Sequence, residues 1–286
     1  MAVYKRDYKP YQEGHTPGWS RFLVLPRYLF QDVFASRIIT IFFIVSFMPF
    51  LGAMLLVYLR YNVKALEIFE LPIQQLLAID STFFLYLLNA QCGFGLILTV
   101  LVGPGLVSMD LANNALPMYF CRPFSRTEYV LGKMCVLAIL LSAVTWIPLT
   151  VLFGFQASLE GFTWLAENLR IRFGVFLGAW VWILLMCFLS LAISAWVRWR
   201  PVAGAMLFGV FLVLAGFGEA VNQIVNTRKG TLLNLRAVVD SINAWLFQVD
   251  SWSQVPVDQA WLSLGVTLAL CLLILNRKLK AYEIVR

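Results

Sequence analysis

The chain has 286 residues, of which 61% are hydrophobic and only 13% are charged, and its mean hydropathy is +0.80. A soluble domain carries about 25% charged residues, so this composition leaves too few polar side chains to cover a surface in water. It excludes a soluble globular protein and predicts an all-α integral membrane protein. A formal charge of +7 is compatible with binding to nucleic acid or to an anionic membrane surface. The positions of the charges along the chain distinguish between these two partners.

Residues 1–37 come before the first long apolar stretch and fall into two parts. The first part is polar, basic and rich in Tyr, Pro and Gly, which predicts an irregular cytosolic tail. In the second part, residues 19–36, apolar side chains share one helical face: Phe22, Leu29, Val33 and Phe34. Pro26 suits the first turn of a helix, where its missing N–H costs little. This pattern predicts an interfacial helix that lies on the membrane.

Residues 38–286 contain six apolar stretches of near-spanning length and are predicted to form one transmembrane domain. The stretches cover about 38–59, 82–105, 129–154, 173–197, 201–222 and 260–276. Gly103, Pro104 and Gly105 close the second stretch. Because a proline lacks an N–H and crowds the preceding turn, we expect a kink or a helix end there.

The basic residues predict the orientation of the spans. If the N-terminus is cytosolic, then 15 of the 22 Lys and Arg lie on the cytosolic side. The positive-inside rule therefore predicts cytosolic termini, a cytosolic loop at 106–133 and an outer loop at 223–259. The positive charge is thus a topology signal with membrane lipid as its anionic contact, and it does not indicate binding to nucleic acid.

The outer loop 223–259 carries an amphipathic pattern. Apolar side chains recur there every three or four residues: Leu232, Leu235, Val239, Ile242, Leu246 and Val249. Polar side chains fall mostly on the other side: Asn234, Arg236, Asp240 and Asn243. The spacing predicts an amphipathic helix, either on the outer membrane surface or tucked back between the spans.

Few polar side chains lie inside the predicted spans. Asn89 and Gln91 lie in the second span, Thr145 in the third and Glu219 near the outer end of the fifth. Such side chains form hydrogen bonds between helices or line a translocation pathway, and both interpretations stay open. The chain has five cysteines without a CxxC pair and one histidine, so we predict no disulfide framework, no metal site and no bound cofactor.

The cytosolic loop 106–133 combines both signs of charge with turn-forming residues. Asp110 and Asn113 lie in its first part, and Arg122 and Pro123 follow. Ser125, Arg126, Thr127 and Glu128 then precede an apolar run with the spacing of a capping box, which predicts the start of the third span. One interpretation is that Ser125 and Glu128 only cap this helix and that Arg122 and Arg126 only set topology and contact lipid headgroups, and a functional role of these residues stays open beside it.

The segment ALPMYFCRPFSRTEYVLGK, with the aspartate before it, resembles the signature loop of ABC-2 type permeases, the membrane subunits of one class of ATP-binding cassette transporters. The residues that carry the resemblance are Asp110, Arg122, Pro123, Ser125, Arg126, Tyr129, Gly132 and Lys133. The six spans and the interfacial helix fit the same family. The resemblance implies a loop that couples to an ATPase subunit through Asp110, Asn113, Arg122, Pro123, Ser125, Arg126 and Glu128.

The resemblance also implies partners. No GxxxxGK[ST] phosphate loop occurs in the chain, so ATP and Mg would be bound by a separate ATPase, in two copies, and the permease itself would not be an enzyme. The family implies a second permease subunit, which gives a homodimer here. The outer loops are too small to form a soluble binding domain. We therefore expect an exporter, in a bacterial-type plasma membrane.

Three other classes of function are open to a chain of this kind. A membrane-embedded enzyme needs clustered reactive side chains at bilayer depth, and the only histidine, His15, lies in the tail. An ion-coupled transporter or channel needs intramembrane charge, for which Glu219 alone is thin support. A structural subunit of a membrane complex, without an ATPase partner, remains an alternative.

Overall fold

The computed structural model describes residues 24–62, 78–120, 125–226 and 228–278. In these ranges the regular structure is helical without β-strands, and six helices are long and apolar enough to cross a membrane. We name them span one to span six in chain order: Arg37–Tyr61, Ser81–Ala112, Arg126–Glu160, Leu169–Trp196, Arg200–Val225 and Val257–Lys278. The predicted all-α architecture with six candidate spans is confirmed.

Five shorter helices complete the described part of the chain: Val24–Ala35, Leu116–Phe120, Phe162–Glu167, the 3-10 helix Lys229–Leu233 and Leu235–Phe247. The first of them has Pro26 in its first turn and packs against the beginning of span three. Its buried face includes Val33, with Leu29 partly buried beside it, whereas Phe34 is exposed. Phe22 and the tail before it lie outside the described residues, and the position of this helix on a membrane surface stays a prediction.

Spans one and three are each broken by a proline, although the sequence predicted them as continuous. The first half of span one ends at Val45, four residues before Pro49. The first half of span three ends at Val144, four residues before Pro148. A proline removes the N–H that the carbonyl four residues earlier needs, and its ring crowds that carbonyl. The two breaks therefore follow directly from the sequence.

Span two, in contrast, passes through Pro104 and ends at Ala112, so the predicted end at residue 105 is wrong. Side chains of neighbouring spans supply donors to the carbonyls around the proline. Arg200 Nη2 donates to the Leu101 oxygen at 3.0 Å, and Ser194 Oγ donates to the Pro104 oxygen at 2.9 Å. Neither hydrogen bond is made to the carbonyl of Val100, whose partner N–H the proline removes, so these donors add contacts around Pro104 without replacing the lost bond.

The helix Leu235–Phe247, which we call the inserted helix, packs against spans two, four, five and six. Two glycines of span four permit its close approach, since Gly174 faces the ring of Phe247 and Gly178 faces the side chain of Asn243. Its polar residues are buried together with its apolar ones: Asp240 is 4% exposed and Asn243 is 0% exposed. The inserted helix is therefore enclosed on almost all sides, and its polar groups need partners inside the protein.

The contact between span five and the 3-10 helix Lys229–Leu233 gives a test of the fold. A Cβ at Gly218 would overlap the backbone carbonyl of Gly230, whereas a Cβ at Gly209 of the same span meets no atom within 4 Å. We expect Gly218→Ala to destabilise the protein by about 1–3 kcal/mol relative to Gly209→Ala, because a backbone cannot move aside as a side chain can. Thermal unfolding of both variants in detergent measures the difference, and equal melting temperatures would contradict the contact.

Candidate functional site

An ion pair with a buried lysine joins the end of span two to the beginning of span three. Lys133 Nζ lies 2.8 Å from Asp110 Oδ2, and the lysine side chain is only 1% exposed. The hydroxyl of Tyr129 donates to the same carboxylate oxygen at 2.7 Å. The continuation of span two past Pro104 brings Asp110 to this place. Tyr129 and Lys133 are four residues apart and so share one face of span three. We call these three residues the junction cluster.

The chain between the two spans is held at both of its described ends. Ser125 Oγ accepts the N–H of Glu128 at 3.2 Å, and Glu128 Oε2 accepts the N–H of Ser125 at 2.6 Å, so the predicted capping box is present. The ring of Tyr119, in the short helix Leu116–Phe120, lies 5.5 Å from the ring of Tyr129. Burial, aided by the charge of Asp110, raises the pKa of Tyr119 and keeps its hydroxyl protonated. The short helix is thereby attached to the junction cluster.

The predicted coupling residues fall into three groups in the structure. Asp110 is half-buried in the junction cluster, and Ser125 and Glu128 form the cap. Asn113 and Arg126 are exposed on the surface around the junction cluster. Arg122 and Pro123 lie outside the described residues. Sequence reasoning did not identify Lys133 as the partner of Asp110, although its position inside an apolar run was a signal that the charge needed one.

Gln91 joins three spans at their centre. Its side chain is 0% exposed, and its amide nitrogen, oriented by its surroundings, donates to the carbonyl oxygens of Val144 and Ser46 at 3.0 Å each. Both carbonyls lie at the proline-induced breaks of spans three and one. Thr145, at the break itself, donates from its hydroxyl to the Leu141 oxygen at 2.7 Å. Gln91 therefore satisfies backbone groups of two neighbouring spans, whereas Thr145 satisfies a carbonyl of its own span.

A buried carboxyl group lies on the inserted helix. Asn89 of span two donates to Asp240 Oδ1 at 3.3 Å, and Ser251 donates to Asp240 Oδ2 at 2.8 Å. Asn243, one turn further on, is fully buried, and neither polar atom of its side chain has a hydrogen-bond partner. Glu219 of span five is exposed. Of the four residues predicted to face a pathway, only Asn89 contacts this group.

Burial raises the pKa of Asp240 above its ordinary value of 3.8. Hydrogen bonds from Ser251, Asn89 and Trp252 and the charge of Arg236 oppose this shift without cancelling it. Burial penalises the charged form of a carboxyl group, so the folded protein binds a proton at Asp240 more readily than the unfolded chain does.

These groups hold helices together through an ion pair and hydrogen bonds. Among the residues described, no three of His, Cys, Asp and Glu lie close enough together to hold a metal ion. The junction cluster pairs opposite charges around a hydroxyl that is already hydrogen-bonded. What this arrangement does is to fix the ends of two spans to each other.

Removing either charge of the junction cluster should destabilise the protein by different amounts. Asp110→Asn leaves the buried ammonium of Lys133 unpaired and should cost about 3–5 kcal/mol. Lys133→Met leaves a carboxylate that is 16% exposed and still bonded to Tyr129, so we expect about 1–3 kcal/mol. The double variant should cost less than the sum of the two single ones. Unfolding in detergent measures all three, with the exposed Arg198→Gln as control, and strict additivity would contradict the pair.

Asp240 should make stability depend on pH. Its pKa is raised in the folded state, so its contribution to stability is fully present below the unfolded value and is lost as pH rises through the folded pKa. Asp240→Asn removes this titration. The melting temperature of the variant minus that of the wild type should therefore increase as pH rises from the ordinary value of 3.8 towards neutrality. If this difference in melting temperature stays constant or decreases as pH rises, then ionisation of Asp240 does not destabilise the folded protein.

Comparison of the chain with protein-family models and with curated protein sequences finds no match.

Proposed function

We propose that this chain is the membrane-spanning permease subunit of an ABC-type exporter, driven by ATP that a separate ATPase subunit hydrolyses. The observation that carries the proposal is the junction cluster. Asp110, Tyr129 and Lys133 tie the end of span two to the beginning of span three around a short helix. A force applied to the segment between these spans would move both of them together, which is what a coupling element requires.

The surface around the junction cluster supports the same proposal. Asn113 and Arg126 are exposed there, while the capping box fixes the direction in which span three begins. An exposed polar surface on a rigid base suits docking to a soluble partner. The sequence of this segment resembles the coupling loop of ABC-2 type permeases, and the distribution of basic residues favours a cytosolic location.

In this proposal the ATPase subunit and the permease subunit have separate roles. ATP and Mg bind to the ATPase, of which the complex holds two copies, and this chain forms a homodimer that encloses the pathway. The apolar surfaces of spans one and five, which are mostly exposed in the single chain, are available to lipid and to a second copy. The expected location is a bacterial-type plasma membrane, with both termini in the cytosol.

A second candidate, a proton-coupled transporter without an ATPase, is favoured by one observation. Asp240 is a buried carboxyl group with a raised pKa, and it is bonded to Asn89 of span two. Transport in liposomes separates the two candidates. Transport driven by a pH gradient in the absence of ATP and of any ATPase would support the second candidate and contradict the first.

Charge reversal at Arg126 tests the coupling surface. The tagged protein, purified alone, should not hydrolyse ATP, and from native membranes it should retain an ATPase that contains a phosphate loop. Arg126→Glu should lower the recovered ATPase at least tenfold, since loss of a docked charge costs about 2–5 kcal/mol. Quantitative mass spectrometry of the purified complex, together with ATP-dependent transport in liposomes, measures the effect.

The matched control is Arg198→Glu, which reverses an exposed charge in the turn between spans four and five. Labelling of single cysteines must first show that both variants insert in the normal orientation, because arginines also set topology. The coupling surface is wrong if correctly inserted Arg126→Glu keeps full ATPase binding and full transport, or if Arg198→Glu loses as much as Arg126→Glu does.

A further inference from the structure

A cavity of about 330 Å³ lies between spans two, four and five and the beginning of the inserted helix. Its wall is mainly apolar and aromatic. The rings of Trp182 and Phe211 lie 5.9 Å apart in its lining, and Phe208 is close to them along span five. The polar side chains that reach the cavity are few: Asn89, Asn234 and Arg236.

Arg236 lies deep along the spans because the inserted helix runs from the middle of span four towards its beginning. Phe247, at the end of the inserted helix, faces Gly174, whereas Val239 lines the cavity together with Trp182. Arg236 is one turn deeper still, in the same cavity as Gly93. Gly93 is twelve residues from the start of span two, which is roughly 18 Å at 1.5 Å per residue. This depth corresponds to the apolar part of a bilayer.

In the described part of the chain the charge of Arg236 is only indirectly compensated, by its electrostatic interaction with Asp240. No acidic side chain there forms an ion pair with its guanidinium, and no hydrogen bond connects the guanidinium to another described residue. The nearest carboxyl group along the helix, Asp240, is engaged by Asn89 and Ser251. A cation at this depth is costly unless it meets an anion or water. Arg236 is exposed and lines the cavity, so an anionic group from outside these residues can reach its charge.

We infer that this cavity binds an organic anion with an apolar body, whose carboxylate, sulfonate or phosphate contacts Arg236. The amide nitrogen of Asn234 is a second donor, since its oxygen already accepts the N–H groups of Arg236 and Ala237. The apolar body lies against the aromatic wall. The volume is near the lower end of small-molecule sites, so a ring system or one acyl chain fits and a whole phospholipid does not. This inference holds with or without an ATPase partner.

Equilibrium binding of two matched probes tests the site. The full chain is placed in phosphatidylcholine nanodiscs, and binding of anthracene-9-carboxylate is compared with binding of the uncharged 9-anthracenemethanol, with empty nanodiscs subtracted. We expect the anion to bind about tenfold more tightly than the neutral probe, in line with a charge-assisted hydrogen bond. Arg236→Gln should abolish this preference, and Arg236→Lys should retain most of it.

Two controls make the result specific. Arg172→Gln removes another exposed arginine, on span four, and should leave the preference unchanged. Ala215→Leu narrows the cavity and should weaken binding of both probes. Circular dichroism and gel filtration confirm that each variant is folded.

The source of the anion is resolved by replacing part of the phosphatidylcholine with phosphatidylglycerol. Displacement of the probe from the wild type indicates that a lipid headgroup enters the site, and the absence of displacement indicates a free amphiphile. Either result supports the anion site when the preference depends on Arg236. The inference is wrong if the wild type binds the two probes equally, or if Arg236→Gln keeps the preference for the anionic probe. It is also wrong if Arg172→Gln loses that preference as fully as Arg236→Gln does.

Discussion

Hydrocarbon offers no hydrogen-bond partner, so every polar group placed inside the spans must find one in the protein. The prolines make this constraint visible. Pro148 breaks span three and frees the carbonyl of Val144, to which Gln91 then donates. Around Pro104 the carbonyls receive donors from Arg200 and Ser194, and the helix continues. Span three thus breaks although the Val144 carbonyl has a donor, whereas span two continues through Pro104, so donors from neighbouring spans do not by themselves decide whether a proline breaks a span.

The junction cluster follows the same constraint with charges in place of carbonyls. A lysine that is 1% exposed is strongly disfavoured in an apolar environment unless a carboxylate lies beside it, and Asp110 meets that need at 2.8 Å. Because the penalty for separating the pair is large, the two spans cannot part at this point without exposing a charge. The interaction contributes little net stability compared with apolar packing. Its physical effect is to fix which residues lie together.

The sequence predicted those features that depend on local chemistry. Apolar length identified the six spans, and the spacing of Ser125 and Glu128 identified the capping box. The breaks at residues 45 and 144 are also local, since each lies four residues before a proline, although continuous spans were predicted there. Features that depend on distant pairs could not be predicted. Asn89 and Asp240 are 151 residues apart in the chain, and nothing in either segment identifies the other.

The same limit explains the errors at the candidate site. A kink or a helix end was predicted near residue 105 because a proline is normally a helix breaker, whereas span two continues to Ala112 and packs against spans four and five, which come later in the chain. Lys133 was counted among loop charges because position alone does not show burial. Asp240 was assigned to the polar face of an amphipathic helix, where an exposed carboxylate costs nothing. In the structure four spans enclose that helix, so the carboxyl group of Asp240 is buried and its charged form is penalised.

Span two connects the features on which both proposals rest. It carries Asp110 near its end and Asn89 in its first half, 21 residues apart, or roughly 31 Å of continuous helix at 1.5 Å per residue. Gln91 ties the same helix to spans one and three between these points. Because the helix is unbroken at Pro104, a displacement of its end near the junction cluster would be transmitted along it to the cavity, as along a rod. In the proposed exporter, that rod is the physical link between an ATPase docked beside Arg126 and an anion held by Arg236.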